Sequence, residues 1–462
     1  MVVSGSKAIS LAAFAGSQAL PFDPKTKPYS RLAMPGAQKM QALAWYFDFS
    51  NYLCSFTSRL TYNDERRSSM KKSCIYLAML GLTSGLAYGQ SSVTLYGIID
   101  EGINYNSNAD GKSLYNLSSG VLQGSRWGLR GKEDLGGGLS TIFVLENGFD
   151  VNTGKLGQGG LLFGRQAYVG LSSQYGSATF GRQYDSVVDY IGPLIAGDQW
   201  GGYLAAHPSD NDNFNNTNRT NNAIKYTSPN IAGFTFGGVY ALGGVPGSVG
   251  RNQIWSIGAG YSNGPLVAGV GYLNVRNPNT SFYGAGGTVA PTTGGVPGSN
   301  FGASPVISGY ASARSYQVVG GAAAYTYGAA TIGAVYSNVQ YRNLGDTTSG
   351  PVPVGGISGT ATFNNAEINF KYQITPALLA GAAYVYTKNN GADGSEGATY
   401  HQGAVGVDYF LSKRTDVYLI GVYQKASGTD STGKEAVASI NQLTPSTSNH
   451  QVAVRFALRH KF

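Results

Sequence analysis

The chain has 462 residues, with 32 Lys and Arg against 24 Asp and Glu, 67 Gly, 32 Tyr and 2 Cys. The formal net charge of +8 invites a nucleic-acid reading, but residues 1–89 hold ten of the basic side chains, four of the acidic ones and both cysteines. From Gln90 onward the balance is 22 to 20, net +2, which removes the case for nucleic acid, for a disulfide framework and for thiol chemistry.

In chain order, residues 1–69 show no sustained periodicity and read as a non-native upstream extension or a disordered leader. Residues 70–89 read as a signal peptide. Lys71 and Lys72 give a basic start, Ile75 to Leu86 an apolar run, and Ala87-Tyr88-Gly89 a small-x-small cleavage site. The run is too short to cross a bilayer as a helix, and a buried core helix has no need of the cleavage signature. Met70 is the expected start, and residues 90–462 the expected folded domain.

That domain has no run of about 18 apolar residues, so no transmembrane helix is expected. Its strand-like runs are separated by connections of two alternating kinds. Short ones are built from turn residues: Gly136-Gly137-Gly138, Gln174-Tyr175-Gly176, Ser228-Pro229-Asn230, Ser262 to Pro265, Tyr327-Gly328-Ala329, Thr375-Pro376 and Ser412-Lys413-Arg414. Long polar ones fall at 106–118, 151–161, 186–219, 243–252, 276–314, 344–361, 388–398 and 426–448. Fifteen connections predict sixteen strands. An even number of strands, with tight turns at one rim and long loops at the other, is the plan of a transmembrane barrel rather than of a soluble sandwich.

Alternation supports it. Ala366, Ile368, Phe370 and Tyr372 interleave with Asn365, Glu367, Asn369 and Lys371, and the last strand sets Val452, Val454, Phe456 and Leu458 against Arg455, Arg459 and Lys461. Sixteen strands enclose a lumen too wide for side chains to fill, so the polar face must be the wet interior. The expected fold is all-β: a sixteen-stranded antiparallel transmembrane β-barrel whose third long loop folds inward. That loop, 186–219, mixes Asp189, Asp198, Asp210 and Asp212 with Tyr190, Ile191, Leu194, Ile195, Trp200 and Tyr203, an apolar load that an external loop has little reason to hold. The 276–314 loop, mostly small and polar, reads as exposed.

Inside the barrel, parity places Arg126, Arg130 and Lys132 together, opposite Trp127 and Leu129. A cation facing mid-bilayer lipid costs about 2–4 kcal/mol, so these three must point into water. Arg165 and Arg182 share parity with apolar neighbours, so either a rim position or a bulge must re-aim them. Arg219 begins the segment where the third loop rejoins the wall.

Several motifs together resemble the general porins of β-proteobacteria, of the Burkholderia/Neisseria type. They are S-V-T-L-Y-G-I-I-D at 92–100, S-R-W-G-L-R-G-K-E-D-L-G-G-G-L at 125–139, F-G-R-Q-A-Y-V-G-L at 163–171, F-G-R-Q-Y-D at 180–185, L-S-K-R-T-D at 411–416 and the terminal L-R-H-K-F. The resemblance covers 90–462 and not the stretch before Met70. It implies a homotrimer of passive diffusion channels, with Arg126, Arg165 and Arg219 as an eyelet cluster. Glu146 and loop acids would face them, Asp198 first and then Asp189. It also implies that Phe462, at the C-terminus, is read by the barrel-insertion machinery as an assembly signal.

No catalytic constellation, metal motif or cofactor site stands out; His207, His401, His450 and His460 are scattered, and no nucleophile elbow occurs. A barrel enzyme would need a Ser or Asp paired with His near one rim; an adhesin would work through its long loops. The expected function is a general diffusion porin of the cell outer membrane, in contact with its lipid, passing small hydrophilic solutes and inorganic ions. Arg126, Arg130, Lys132, Arg455, Arg459 and Lys461 outnumber the inward acids Glu146 and Glu367, which predicts a mild anion preference. Arg251 and Lys434 read as solvated loop charges.

Overall fold

The computed structural model describes residues 91–286 and 290–462, so the leader (1–69) and signal peptide (70–89) readings lie outside the described residues. The barrel strands are β1 (Ser92–Ala109), β2 in two halves (Lys112–Ser119 and Arg126–Gly136), β3 (Leu139–Gly148), β4 (Gln166–Ser173), β5 (Gly176–Gln183), β6 (Thr220–Thr227), β7 (Phe234–Ala241) and β8 (Ile254–Asn263). They continue as β9 (Leu266–Arg276), β10 (Ser315–Tyr327), β11 (Ala330–Leu344), β12 (Gly359–Thr375), β13 (Leu378–Asn389), β14 (Ala398–Phe410), β15 (Thr415–Gly428) and β16 (His450–Lys461). Each pairs antiparallel with its sequence neighbours. β16 returns to β1, with Ile98 opposite Lys461 and Asn106 opposite Ala453, and this pairing closes the ring at sixteen strands.

The two faces separate as alternation predicts. On β16, Val454, Phe456 and Leu458 are exposed while Ala453, Arg455 and Ala457 are buried; on β12, Ile368, Phe370 and Tyr372 are exposed while Asn365, Glu367 and Asn369 are buried. The exposed face is the apolar one, the inverse of a soluble barrel. No described helix is long and apolar enough to cross a membrane; the strands cross it. The terminal Phe462 exchanges both backbone hydrogen bonds with Gly97 at 3.0 Å, which extends the closing seam to the last residue.

All seven tight turns lie where expected. The loop expected at 106–118 does not form: β1 and β2 run on to a two-residue turn at Asp110-Gly111, where φ is 51° and 89°. Both values are left-handed, as the commonest two-residue hairpin requires. The irregularity falls instead at 120–125, inside β2. There Val121 and Leu122 turn into the lumen, and Asp100 Oδ2 accepts from the N–H groups of Leu122 and Gln123 at 2.9 Å each. The 276–314 connection also departs from its exposed reading, because Phe282, Phe301, Ile307 and Tyr310 are buried against Tyr316, Tyr341 and Phe363 on the inner face of β10–β12. Scattered aromatics, diluted by Gly and Ser in the sequence, converge only in the fold.

Candidate functional site

The third long connection, 184–219, leaves β5 and follows the buried face of the wall before joining β6. It opens on a short helix, α1 (Ser186–Tyr190), capped by Asp185, whose carboxylate accepts from the N–H groups of Val187 and Val188. Val187 lies over Gly271 of β9, and Trp200 lies against Gly381 of β13 and Gly406 of β14, where any Cβ would strike the indole. Val187, Ile191, Ile195, Trp200, Leu204 and Phe214 are buried, each contributing about 1.5–3 kcal/mol.

Polar contacts set its register on the wall. Ala196 N–H donates to Glu367 Oε1 at 2.8 Å, Asn369 to Leu194 O at 3.0 Å, Tyr316 OH to Asn211 O at 2.7 Å and Gln402 to Ala206 O at 3.0 Å. His207 sits between Asp212 at 2.6 Å and Glu367 at 3.3 Å. Burial opposes its charge, yet the two carboxylates outweigh burial and push the imidazole up to about 10.

Between this loop and the β2–β5 wall lies a cavity of about 290 Å³. Arg126 and Arg165 line it from the wall side, and Tyr184, Asp189, Asp198, Asn215 and Asn216 from the loop. Arg165 donates from Nε to Glu146 Oε1 at 2.8 Å and from Nη2 to Tyr184 OH at 2.9 Å, while Tyr96 OH donates to Glu146 Oε2 at 2.9 Å. The Arg219 guanidinium lies 5.3 Å from the Tyr184 ring centroid and donates to Thr217 O and Asn216 Oδ1. Asp189 is ion-paired with Lys225. Asp198 accepts from Asn215 at 3.4 Å; burial raises its carboxyl to about 6 against the pull of Arg126 and Arg165. The Arg126 guanidinium makes no hydrogen bond or ion pair with a described residue. Cations on one wall and a carboxyl on the other impose a transverse field on whatever crosses.

A closed barrel whose inner face is polar has a channel's geometry, and the sequence signature of Gram-negative porins matches residues 77–429. The chain belongs to the Gram-negative porin family. An outer membrane porin protein of Bordetella pertussis is 33% identical over 389 residues, spanning 77% of this chain and 94% of its own length. Outer membrane porin protein 32 of Delftia acidovorans is 30% identical over 414 residues, spanning 85% and 100%. An anion-selective porin from Comamonas acidovorans shares the fold, with a TM-score of 0.61 at 22% identity, over 81% of this chain and 100% of that one. The protein is an outer-membrane porin and not an enzyme.

Within this porin, the structure gathers six of the nine expected residues. Arg126, Arg165, Asp189 and Asp198 line the cavity, and Glu146 and Arg219 stand one contact behind it. Arg165 escapes its outward parity because it precedes the first residue of β4, so strand alternation does not govern it. Arg182 follows a bulge at Gly181 and turns to the rim, donating to Gly164 O and Ala285 O at 2.8 Å each. It does not line the cavity. Nor do Arg130 and Lys132, which continue the same face of β2 toward its short turn; Arg130 stands 5.4 Å from the Tyr96 ring centroid.

The count of inward charges changes. Arg455 is fully buried and bonded to Asp100 at 2.8 Å, Arg459 is bonded to Asp416 at 3.0 Å and Asp408 at 3.3 Å, and Glu367 is covered by the third loop. None of the three is free to act on a passing ion. Sequence reasoning passed over Lys225, although it stands on inward parity between the exposed Ile224 and Tyr226. Tyr96 and Asp100 carried no signal beyond parity, and parity aimed Tyr184 outward with Phe180.

Proposed function

We propose that this porin is a general diffusion channel for small hydrophilic solutes and ions, with a moderate preference for anions. The observation that carries the reading is the uneven pairing at the constriction. Glu146 is matched by Arg165 and Asp189 by Lys225, which leaves Arg126 and the buried Arg219 facing a single acid, Asp198. The Comamonas acidovorans porin of the same fold, described as anion-selective, supports such a preference in this architecture.

The working unit in this reading is a homotrimer. A solved Vibrio cholerae relative of the fold is described in a trimer form. Here the first half of β2 pairs only with β1 among the described residues and exposes Leu114, Tyr115 and Leu117, an edge that invites a neighbouring copy. The reversal potential of purified protein in a planar bilayer under a KCl gradient tests selectivity: a chloride-favouring sign is expected, and a cation-favouring one overturns it. Cross-linking in native membranes tests the trimer, which a monomer-only pattern would refute.

A further inference from the structure

Away from the lumen, a polar cavity of about 650 Å³ opens among the fourth, fifth and sixth long loops. Arg251, Gln253, Arg276, Asn277, Arg314 and Asp346 line it. The sequence reading left Arg251 as a lone solvated charge; the fold brings it to Arg276 and Arg314, residues far away in the chain. The three guanidinium groups make no hydrogen bond or ion pair with a described residue. The one carboxylate present, Asp346, is occupied by the hydroxyls of Thr348 at 2.6 Å and Ser349 at 3.3 Å. An excess of two positive charges remains.

The position of the cavity is as informative as its charge. Arg276 ends β9 on the outward parity, following the exposed Val270 and then Tyr272 on the same face. Tyr272 packs on Trp255 with ring centroids 4.8 Å apart, and Gln253, two residues before Trp255 on that face, accepts from Tyr240 OH at 3.2 Å. Tyr240, Trp255 and Tyr272 form a stretch of aromatic belt, and such belts mark the membrane–water interface. The cavity lies about two strand residues beyond it, roughly 7 Å toward the long-loop side. That is headgroup depth in the outer leaflet.

We propose that this cavity binds a phosphate-bearing headgroup of an outer-leaflet lipid. A planar guanidinium matches phosphate oxygens in bidentate fashion, and three of them lining one concave space, none hydrogen-bonded or ion-paired to a described residue, suit a doubly charged group. Arg276 and Gln253 reach the cavity from the outward face above the belt, which favours a lipid over a dissolved anion. The inference rests on the outer-membrane location and not on the selectivity of the channel.

The test titrates purified porin in neutral detergent with lipid A carrying two phosphates and with its dephosphorylated form, followed by native mass spectrometry. The variants are Arg251→Gln, Arg276→Gln and Arg314→Gln combined, and a control, Lys388→Gln with Lys425→Gln. Those lysines stand on the outward parity of β13 and β15 and line no part of the cavity. Wild type should prefer the phosphorylated lipid by about tenfold or more, the arginine variant should lose that preference and the lysine variant keep it. Unchanged single-channel conductance in neutral lipid shows that both variants fold. Equal binding of the dephosphorylated lipid, or equal loss in the lysine control, overturns the site. Inorganic phosphate displacing the lipid at comparable concentration overturns the lipid assignment.

Discussion

Arg126 is the lining cation of the proposed constriction that makes no hydrogen bond or ion pair with a described residue, and the effect of Arg126→Ala follows from the size of the cavity. A cavity of about 290 Å³ has the volume of a sphere about 4 Å in radius. An ion at its centre thus stands about 5 Å from the lining guanidinium, where a unit charge in water contributes about 0.8 kcal/mol. Screening at 0.1 M salt, with a Debye length of about 10 Å, reduces this to about 0.5 kcal/mol. The substitution takes that attraction from chloride and an equal repulsion from potassium. The permeability ratio then moves by about 1 kcal/mol, about fivefold toward cations. At 1 M salt the Debye length falls to about 3 Å and the shift to less than about twofold. Reversal potentials at both salt levels measure it, with Arg130→Ala as a control of smaller effect. A shift below twofold at 0.1 M, or one that ignores salt, refutes the assignment of the constriction to Arg126.

Asp198, raised to about 6, should make selectivity depend on pH: lowering pH from 7.5 to 5 neutralises it, and chloride preference rises. Asp198→Asn should show the low-pH value throughout, and a flat wild-type profile would count against a pore-facing Asp198. His207, raised to about 10 from an ordinary 6.5, contributes stability that is complete below pH 6.5 and lost as pH rises through about 10. Proteolysis within 184–219 should therefore accelerate above pH 10, with His207→Gln abolishing the step; no such step means the histidine does not hold the loop. Deleting Phe462 should lower the yield of heat-modifiable barrel while export to the periplasm persists, and Gly97→Val, whose side chain would meet the Phe462 ring, should do the same. N-terminal sequencing of outer-membrane material should begin at Gln90; residues from 1–69 on the folded protein would disprove that processing.

Much of the barrel is legible in the sequence because a strand's two faces are written at period two. Ile368 and Phe370 against Glu367 and Asn369 state which side meets lipid, and the Gly-rich and Pro-containing turns state where the chain reverses. Even the inward path of the third loop is foreshadowed by Ile191, Ile195 and Trp200, side chains that would be costly to leave in water. The reading fails wherever the ladder stops. Arg165 lies one residue before its strand and Arg182 just past a bulge, so parity mis-aims both. At 120–125 the break in β2 depends on Asp100, which captures two backbone N–H groups from another strand.

Alternation determines the side to which a residue points, and the sequence by itself determined that for Arg126, Arg455 and Arg459 alike. Which of them remains an active charge was decided only by strand pairing and, for Arg455, by closure of the barrel. Asp100 meets Arg455 from 355 positions away, and Asp408 and Asp416 meet Arg459, while Arg126 makes no hydrogen bond or ion pair with a described residue. The same holds for Arg251, Arg276 and Arg314, three separate loop charges until the ring brings them round one cavity. Electrostatic energy depends on distance through space and on burial, and neither is written in the spacing of residues along a chain.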